Sequence, residues 1–553
     1  MAAPTVAQRL PCLSLNFPIV LRVSRDFCRS CRALRKQKPG GNLKSTPVSQ
    51  TSAWQTMVGL EIHAQVASQS KMFSGSQVQF SSPPNSLVSF FDAALPGTLP
   101  VLNKYCVEAG ILTALALQGH VNRVSYFDRK HYFYADLPAG YQITQQRVPL
   151  ATGGRIEFSL FDPTSRDEPI KKTVRLIQIQ LEQDSGKSLH DDENHETLVD
   201  LNRSGVGLME LVTKPDMCNG TEAAAMVREL QLILQYIGTC DGRMDEGSLR
   251  VDANISVNRP GEPPGTRTEV KNINSARFVK IAIDHEIARH IEILENGGQV
   301  LNETRSFDFK SGKTVSMRVK EGFSDYRFMP EPNLPPLIVY DNDTLSRAPD
   351  RTGAINIDSL KGGLPELPEE RRQRLMKTYG ITLKQSLILM HEDGLVEYFE
   401  RMAQGNVDRD AKKVANWIIT VLLKEFNERA IFVKDSPVSP EKLGELIDLM
   451  EDGTISVSTG KKMMPLLFNV EESRSLTEII EAKNWAQIRD ERLLKDLCEK
   501  IFSSNVDVVR AYLQGNKKVL NRLIGLLQQE TQGRADPVIV NRIIKTKLAN
   551  MKT

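Results

Sequence analysis

Cysteine is scarce in this sequence, and its spacing fits neither a metal site nor a disulfide framework. Seven of the 553 residues are cysteine. Cys28 and Cys31 form a C-x-x-C pair, but the pair lies in the N-terminal segment together with Cys12. The other four cysteines are scattered between positions 106 and 498. The spacing therefore argues against a disulfide-stapled protein and fits a reducing compartment.

Long hydrophobic runs are also lacking. No apolar stretch approaches the roughly 18 residues that span a bilayer, so we expect a soluble protein without membrane insertion. Hydrophobic residues make up 40% of the chain and charged residues 25%, which is ordinary for a globular protein. At 553 residues the chain is too long for a single core, and about three domains are expected.

Acidic residues are nearly absent from the first 50 positions. Asp26 is the one acid there, against nine lysines and arginines. An Arg-rich, Ser-containing and acid-poor N-terminus is typical of a mitochondrial transit peptide, so we predict a leader over residues 1–50 and a mitochondrial matrix protein. The alternative is a disordered basic arm that contacts nucleic acid. Because the whole chain carries only +3, the remainder is mildly acidic and would bind RNA through a local basic surface.

Two common catalytic motifs are missing. Ser185–Ser188 and Ser311–Thr314 each contain GK[ST], but the Walker A pattern requires glycine where this chain has Leu181 and Phe307. Neither segment is therefore a phosphate-binding loop. The sequence also lacks H-E-x-x-H or a similarly dense ligand motif, which disfavours a stand-alone metallohydrolase.

The hydrophobic patterning that is present changes along the chain and predicts an α+β fold. Mixed strand and helix patterns extend from about residue 55 to 345, helices dominate from 365 to 490, and short Lys- and Arg-rich helices fill 491–553. Period-two alternation predicts strands, namely Met57–His63, Ile177–Glu182 and Leu249–Val257. Helical spacing predicts helices over Val107–Leu117 (amphipathic), Glu222–Ile237 and Phe278–Leu294.

Alternation places Glu61 and His63 on the same face of the first strand. The opposite face carries the apolar residues Val58, Leu60 and Ile62. A carboxylate beside an imidazole is a usable pair of metal ligands. The alternative is a solvated strand face with a salt bridge, which the pattern alone favours.

The other two strands also have one polar face each. In the second strand Ile177, Ile179 and Leu181 are predicted to face a core, and the polar face holds Gln178, Gln180, Glu182 and Asp184. In the third strand the polar face holds Arg250, Asp252, Asn254 and Ser256, and an Asp and an Asn two apart can hold a hard cation or a ribose hydroxyl. Exposed polar faces remain the alternative for both strands.

Glu210 lies inside the apolar run Gly207–Val212. A charge is expensive to bury unless it is paired or bound to a metal. The sequence leaves two interpretations open: a buried functional carboxylate, or an edge strand on which Glu210 points to water.

Aromatic and cationic residues concentrate in Tyr126–Tyr134 and at Tyr141. Bases of single-stranded RNA stack on such rings at about 1–3 kcal/mol per base, and Arg129 and Lys130 would then meet phosphate. The alternative is an aromatic core cluster. Taken together, several carboxylates, one His and one Lys on strand-like runs suit a metal-dependent phosphoryl transfer.

Long ordered motifs in this chain resemble those of the GatB family. The resemblance runs from about residue 55 to the end and is carried by Met57–His63, Lys71–Phe73, Leu95–Asn103, Phe127–Tyr134, Asp136–Ile143, Asp200–Val212, Asp245–Ser256, Glu269–Asn274, Asp325–Pro330 and Gly533–Pro537. It implies a mixed α/β cradle domain with a large antiparallel-type sheet (55–345), an all-helical domain (365–490) and a small helical tRNA-binding tail domain (491–553).

The resemblance also implies that the chain is part of a larger enzyme. In that family the A subunit is an amidase that releases ammonia from glutamine, and the C subunit is a small linker. The B subunit of the family binds misacylated Glu-tRNA(Gln), phosphorylates the γ-carboxylate of the attached glutamate with ATP and Mg²⁺, and delivers ammonia to it. A different class of function remains as the alternative: a tRNA-binding scaffold without its own chemistry, in which the acidic residues are structural.

Residue roles transfer only by motif position. The resemblance implies metal-site residues at Glu61, His63, Glu182 and Glu210. Lys130 and Asp252 would complete the catalytic set, and Lys130, Arg129 and Asn254 would contact the cofactor ATP. For tRNA the implied contacts are Tyr132, Tyr134, Tyr141, Lys517, Lys518, Arg522 and Arg534.

The sequence departs from the family pattern at two places. Some members carry a four-cysteine zinc knuckle between the blocks that correspond to Lys71–Phe73 and Leu95–Asn103, whereas this chain has no cysteine in that interval. Structural zinc is therefore not expected. The family signature usually has proline where this chain has Gly207, which loosens one turn near Glu210 and leaves the acid in place.

Overall fold

The computed structural model describes residues 54–551, apart from 163, 164, 166, 192, 320–325, 407, 408, 470–473 and 515. The predicted leader over residues 1–50, the start of the Asp325–Pro330 motif and the side chain of Lys518 lie outside the described residues. The leader therefore stays a prediction.

Strands occupy the first part of the described chain. They are β1 (Gln55–Gln65), β2 (His120–Val121), β3 (Val124–Ser125), β4 (Asp128–His131), β5 (Tyr141–Thr144), β6 (Ala151–Thr152), β7 (Arg155–Leu160), β8 (Ile170–Gln183), β9 (Lys187–Asp191), β10 (Glu196–Asp200), β11 (Gly207–Thr213), β12 (Leu249–Asn258), β13 (Thr268–Ile273), β14 (Glu303–Asp308), β15 (Lys313–Val319), β16 (Arg327–Pro330) and β17 (Leu337–Ile338).

Helices are interleaved with these strands and then follow them. They are α1 (Lys104–Ala116), α2 (Gly220–Tyr236), α3 (Ala276–Glu295), α4 (Ile357–Gly362), α5 (Pro368–Tyr379), α6 (Leu383–Leu389), α7 (Leu395–Gln404), α8 (Ala411–Trp417), α9 (Leu423–Arg429), α10 (Pro440–Glu451), α11 (Val457–Leu467), α12 (Leu476–Ala482), α13 (Glu491–Ser504), α14 (Val506–Leu513), α15 (Leu520–Glu530) and α16 (Pro537–Asn550). The α+β prediction is confirmed. No helix among the described residues is long and apolar enough to cross a bilayer.

A large mixed sheet organises the first part of the chain. Its strand order is β15-β14-β13-β12-β1-β11-β8-β6-β2, with β7 paired to β8. The pairings are antiparallel except for the parallel pair β13–β14. A second sheet of three strands has the order β16-β4-β5. The prediction of a large, mainly antiparallel sheet is therefore confirmed.

The apolar face of the large sheet is covered by helices. Val58, Leu60 and Ile62 of β1 are fully buried in a cluster that includes Val251 of β12 and Leu230 of α2. The side chains of α1, α2 and α3 complete this core. Because strand residues alternate, the polar side chains of β1 and β12 must then lie on the opposite face. This confirms the predicted division of the two faces of β1.

Two further hydrophobic cores lie in the helical part. One draws on residues between Leu375 and Ile480, and the other on residues between Leu494 and Leu548. Local signals in the sequence agree with the helix boundaries here. Ser439 caps α10 by accepting a hydrogen bond from the Lys442 amide, and Pro440 occupies the first turn. The three cores support the predicted division at 345–365 and near 491, which stays a prediction.

Three local expectations need correction. Helix α1 is buried on most of its surface instead of being amphipathic, because β8 and α4 both pack against it. Ile177 is 45% exposed; the pairing of β8 with β11 shifts by one residue there, and this β-bulge moves the buried positions to Leu176 and Val174. The polar face beyond the bulge is not solvated, since Gln180 and Glu182 are buried.

The prediction that neither GK[ST] segment is a phosphate loop is confirmed. A P-loop leads from a strand into a helix. Ser185–Ser188 leads instead into the hairpin β9–β10, and Ser311–Thr314 lies at the turn between β14 and β15.

Candidate functional site

The polar face of the large sheet forms the floor of a cleft of about 340 Å³. In the register of the sheet, Glu61 lies opposite Asp252, and His63 lies opposite both Glu210 and Arg250. Since β11 lies between β1 and β8, the edge-strand interpretation of Glu210 is wrong. The opposite wall of the cleft comes from the three-stranded sheet, which contributes Lys130.

His63 lies between the acidic side chains. Its Nε2 atom is 3.8 Å from Glu61 Oε1 and 3.9 Å from Glu210 Oε2. Among the described residues, two groups bring their ligand atoms within 4.8 Å of one another, with His63 shared. One group holds Glu61, His63 and Asp252, and the other holds His63, Glu182 and Glu210. Carboxylate oxygens and an imidazole at this spacing can bind a divalent cation.

Two glutamine side chains hold Glu182, which lines the cleft, and Glu210, which lies beside His63. Gln142 Nε2 donates to Glu182 Oε1 at 2.6 Å, and Gln180 Nε2 donates to Glu210 Oε2 at 2.7 Å. The second oxygen of Glu182 is buried and has no hydrogen-bond partner among the described residues. Gln142 lies in the Asp136–Ile143 motif, but it was assigned no role from the sequence, because the pattern does not show that its side chain meets Glu182.

Two lysines balance part of this negative charge. The carboxylate of Glu182 raises the pKa of Lys130 above its ordinary value against the effect of burial, and Glu210 adds to the rise. Lys271, on β13 of the large sheet, was also given no role from the sequence. Burial lowers the pKa of Lys271, but Asp252 and Glu269 outweigh burial and raise it. Both lysines therefore stay protonated.

Asp252 is fixed by hydrogen bonds from β13. Lys271 Nζ donates to its Oδ2 atom at 3.2 Å, and the Asn272 amide donates to its Oδ1 atom at 2.8 Å. The carboxylate is therefore held close to Glu61 with its charge partly offset.

The electrostatics of Glu210 favour a bound cation. Burial raises the pKa of Glu210 well above its ordinary value, and the negative charges of Glu182 and Glu61 raise it further. Lys130 opposes this rise but does not cancel it. A divalent ion between these carboxylates would supply the missing positive charge, because an opposite charge within a few ångströms favours the ionised form.

Arg129 does not join Lys130 in the cleft. Neighbouring residues of β4 point to opposite faces, and Arg129 instead donates to both carboxylate oxygens of Glu331 at 2.6 and 3.0 Å. Its guanidinium also lies over the Tyr141 ring at 4.2 Å. Asn254 shares the polar face of β12 but does not line the cleft. Contacts of Arg129 and Asn254 with ATP have no support from this geometry.

The three tyrosines proposed for RNA stacking have different surroundings. Tyr134 is 56% exposed at the edge of the cleft. Tyr132 donates its hydroxyl to Gln142 at 2.9 Å and packs edge-on against Tyr134. One face of the Tyr141 ring is covered by the Arg129 guanidinium. Tyr134 is therefore the most exposed of the three rings.

The basic residues of the tail also differ. Lys517 and Arg522 are exposed. Arg534 is half-buried and donates to the backbone carbonyls of Thr531 and Asn484. These hydrogen bonds join two segments of the helical region, and the contact of Arg534 with tRNA stays a prediction.

Comparison with known proteins identifies the family. The fold and the cleft define an α+β protein with a carboxylate-lined site. Residues 56–344 match the family model described as the GatB/GatE catalytic domain, and residues 397–548 match the model described as the GatB domain. The chain belongs to the GatB family.

Curated relatives cover nearly the whole chain. It is 54% identical over 490 residues to the mitochondrial B subunit of glutamyl-tRNA(Gln) amidotransferase from Danio rerio, and the match covers 88% of each chain. The Homo sapiens protein of the same name is 53% identical over 90% of this chain and 89% of the relative. The B subunit of the aspartyl/glutamyl-tRNA(Asn/Gln) amidotransferase of Acidiphilium cryptum is 43% identical over 90% of this chain and 97% of the relative.

Proposed function

We propose that this chain amidates the glutamyl group of misacylated Glu-tRNA(Gln) as the B subunit of an amidotransferase in the mitochondrial matrix. It acts in a heterotrimer with an A subunit that releases ammonia from glutamine and with a C subunit. The names of its relatives, at up to 54% identity over 88% of the chain, support this assignment. The observation that carries the chemistry is the convergence of His63, Glu182 and Glu210 beside Lys130.

The reaction requires activation of a carboxylate. The γ-carboxylate oxygen is a poor leaving group, so ammonia does not displace it directly. Transfer of the γ-phosphoryl group of ATP to that oxygen gives an acyl phosphate and ADP. Ammonia then attacks the carbonyl carbon, the C–O bond to phosphate breaks, and inorganic phosphate leaves with the electron pair. The product is Gln-tRNA(Gln).

The donor set of the cleft fits Mg²⁺. Hard carboxylate oxygens dominate it. One buried oxygen of Glu182 has no hydrogen-bond partner in the described part of the chain, and a cation would satisfy it. Glu61, His63, Glu182 and Glu210 would hold the ion, with Asp252 beside them. When bound, Mg²⁺ offsets charge on the phosphates and on the reacting carboxylate.

The chain's own groups then orient the reactants. Lys130 remains protonated and faces the acids, so it neutralises negative charge that develops on the transferred phosphoryl group. Tyr134, which is 56% exposed at the edge of the cleft, would stack with the terminal base of the tRNA. Lys517 and Arg522 of the tail, both exposed, contact the tRNA backbone.

The first test replaces Glu210 with glutamine in the full heterotrimer. The assay supplies Glu-tRNA(Gln), ATP, Mg²⁺ and glutamine, and it measures Gln-tRNA(Gln). Glu210→Gln keeps the shape of the side chain but removes its charge. We expect the rate to fall by roughly 10²-fold or more, the scale seen when one preorganised charge-stabilising group is lost, whereas tRNA affinity is unchanged.

The matched control is Glu157→Gln, because Glu157 lies on β7 in an exposed ion pair with Arg155. It should amidate at the wild-type rate. Equal product from Glu210→Gln and wild type would mean that Glu210 is structural. No product even from the wild type, despite assembly and tRNA binding, would favour the alternative of a scaffold without its own chemistry.

A further inference from the structure

Gln142 and Gln180 contact Glu182 and Glu210 in the same way. Gln142 lies on β5 of the small sheet and Gln180 on β8 of the large sheet, and both are buried. Each directs its amide nitrogen to one oxygen of one glutamate, at 2.6 Å for Glu182 and 2.7 Å for Glu210. A neutral donor fixes the position of a carboxylate without cancelling its charge.

Further hydrogen bonds fix the orientation of Gln142. Its oxygen accepts the Tyr132 hydroxyl at 2.9 Å, so the nitrogen must point towards Glu182. The same nitrogen also donates to the Gln183 carbonyl at 2.5 Å. The side chain thus bridges the small sheet and the large sheet and cannot rotate without losing three contacts.

Gln180 is fixed in the same way. Its oxygen accepts a hydrogen bond from Gln178, and its nitrogen also donates to Thr144 Oγ1 at 3.1 Å. The amide nitrogen is therefore directed to Glu210. In both glutamines the amide oxygen accepts a hydrogen bond from a neighbouring side chain, and the amide nitrogen donates to Glu182 or Glu210.

We propose that Gln142 and Gln180 are positioning residues that hold Glu182 and Glu210 in the orientation that binds the divalent cation. Each glutamine occupies one oxygen, and for Glu182 the other oxygen is buried without a hydrogen-bond partner among the described residues. A lysine or arginine in either place would satisfy the acid and compete with the cation. The inference rests on the cation assignment made for the proposed function.

The test measures Mn²⁺ binding to the heterotrimer without ATP or tRNA, by the loss of the electron paramagnetic resonance signal of free Mn²⁺. Gln142→Met and Gln180→Met keep the length of the side chain and remove the donor. We expect each to weaken Mn²⁺ affinity by about 10- to 100-fold, the usual effect of removing a group that orients a ligand. Gln180→His, which keeps an N–H donor, should recover most of the loss.

Gln145→Met is the matched control. Gln145 is equally buried, but it bonds to Ser125 and the Leu181 amide rather than to a cleft acid. It should bind Mn²⁺ with wild-type affinity, which separates the loss of orientation from a general loss of core packing. In steady-state assays the two cleft variants should need more Mg²⁺ for half-maximal rate, with KM for tRNA unchanged.

The outcomes separate this inference from the proposed function. Wild-type affinity in both methionine variants would overturn the positioning role and leave the cation assignment intact. Equal weakening by Gln145→Met would also overturn it. A wild-type heterotrimer that binds no Mn²⁺, or binds it equally after Glu210→Gln, would overturn the cation assignment and this inference with it.

Discussion

At the scale of single residues, this protein buries acids in two different environments. Glu210 lies among other acids, and burial together with those neighbours raises its pKa. Glu286 of α3 is also fully buried, but it accepts hydrogen bonds from Arg289, Thr268 and Thr314. One acid is left short of positive charge where a cation can bind, whereas the other is saturated and stabilises the fold.

Glu286 predicts a specific loss of stability in acid. Burial acts to raise the pKa of Glu286, but the hydrogen bonds from His290 and Arg289 outweigh it and lower the pKa far below the ordinary range. An acid with a lowered pKa in the folded state stabilises the protein fully above its unfolded pKa of about 4.3, and that stabilisation is lost as pH falls.

Glu286→Gln should therefore be less stable than the wild type at neutral pH, and the difference should shrink between about pH 5 and about pH 3. Thermal unfolding midpoints at a series of pH values would measure this. Glu292→Gln, at an exposed position of the same helix, is the control and should follow the wild-type profile. Parallel curves for Glu286→Gln and the wild type would show that Glu286 is not ionised differently in the folded and unfolded states.

At the scale of secondary structure elements, α1 approaches β8 through a glycine. A methyl group on Gly110 would lie 2.5 Å from Leu150 Cδ2 and 3.1 Å from Leu181 Cδ2. Glycine inside a helix costs roughly 1 kcal/mol relative to alanine, so propensity alone favours alanine here. The close contact reverses that preference, because overpacking a core costs about 1–3 kcal/mol.

Gly110→Ala is therefore expected to lower the free energy of unfolding, in spite of its better helix propensity. Gly525 of α15 is the matched comparison, since a methyl group there would meet nothing within 4 Å. Gly525→Ala should stabilise the protein by up to roughly 1 kcal/mol. Urea denaturation would show whether each variant raises or lowers the free energy of unfolding. A gain in both would mean that α1 moves away from β8 at little cost.

The sequence predicts which face of a strand is buried where apolar and polar residues alternate without interruption. β1 and β12 alternate along their whole length, so the face that carries Glu61, His63 and Asp252 follows from the sequence alone. β8 does not, because its pairing with β11 slips by one residue and returns Ile177 to solvent. A bulge depends on the partner strand, and no local pattern in β8 encodes it.

The site was predictable only in part for a related reason. A charged residue in an apolar run is visible in a sequence, and Glu210 is such a residue. Glu182 was visible only as one member of the polar face of an alternating strand. Gln142 and Lys271 become part of the cleft through the pairing of β5 with β4 and of β13 with β12. Arg129 is the converse case: it is adjacent to Lys130 in the sequence, but neighbouring residues of a strand point to opposite faces. Its contact with ATP stays a prediction.

At the scale of the whole molecule, one buried ion pair joins the core of the sheet to the first helical core. Arg372 of α5 donates to both oxygens of Glu229 of α2, at 3.2 and 2.6 Å. Burial raises the pKa of Glu229, and the charge of Arg372 offsets that rise only in part. Ionised Glu229 is therefore costly to bury, and the ion pair with Arg372 reduces that cost.

Replacing Arg372 should therefore lower the free energy of unfolding. Arg372→Met leaves Glu229 buried without its partner, and breaking a buried pair in this way costs about 3–5 kcal/mol. Adding Glu229→Leu removes the unpaired charge, and the double variant should recover most of that loss. Urea denaturation, followed by tryptophan fluorescence and by circular dichroism, would measure the free energy of unfolding of each variant.

The large effect is expected because the Arg372–Glu229 pair is buried, and an exposed ion pair on the same helix provides the control. Arg374, two residues along the same helix, also forms ion pairs, with Glu366 and Glu400, but its side chain is 39% exposed. Arg374→Met should therefore cost no more than about 1 kcal/mol. If Arg372→Met and Arg374→Met were equally mild, Glu229 would have to reach water or take up a proton, and the two cores would not depend on this contact. A large loss for Arg372→Met that Glu229→Leu reverses would instead identify an unpaired buried carboxylate as its cause.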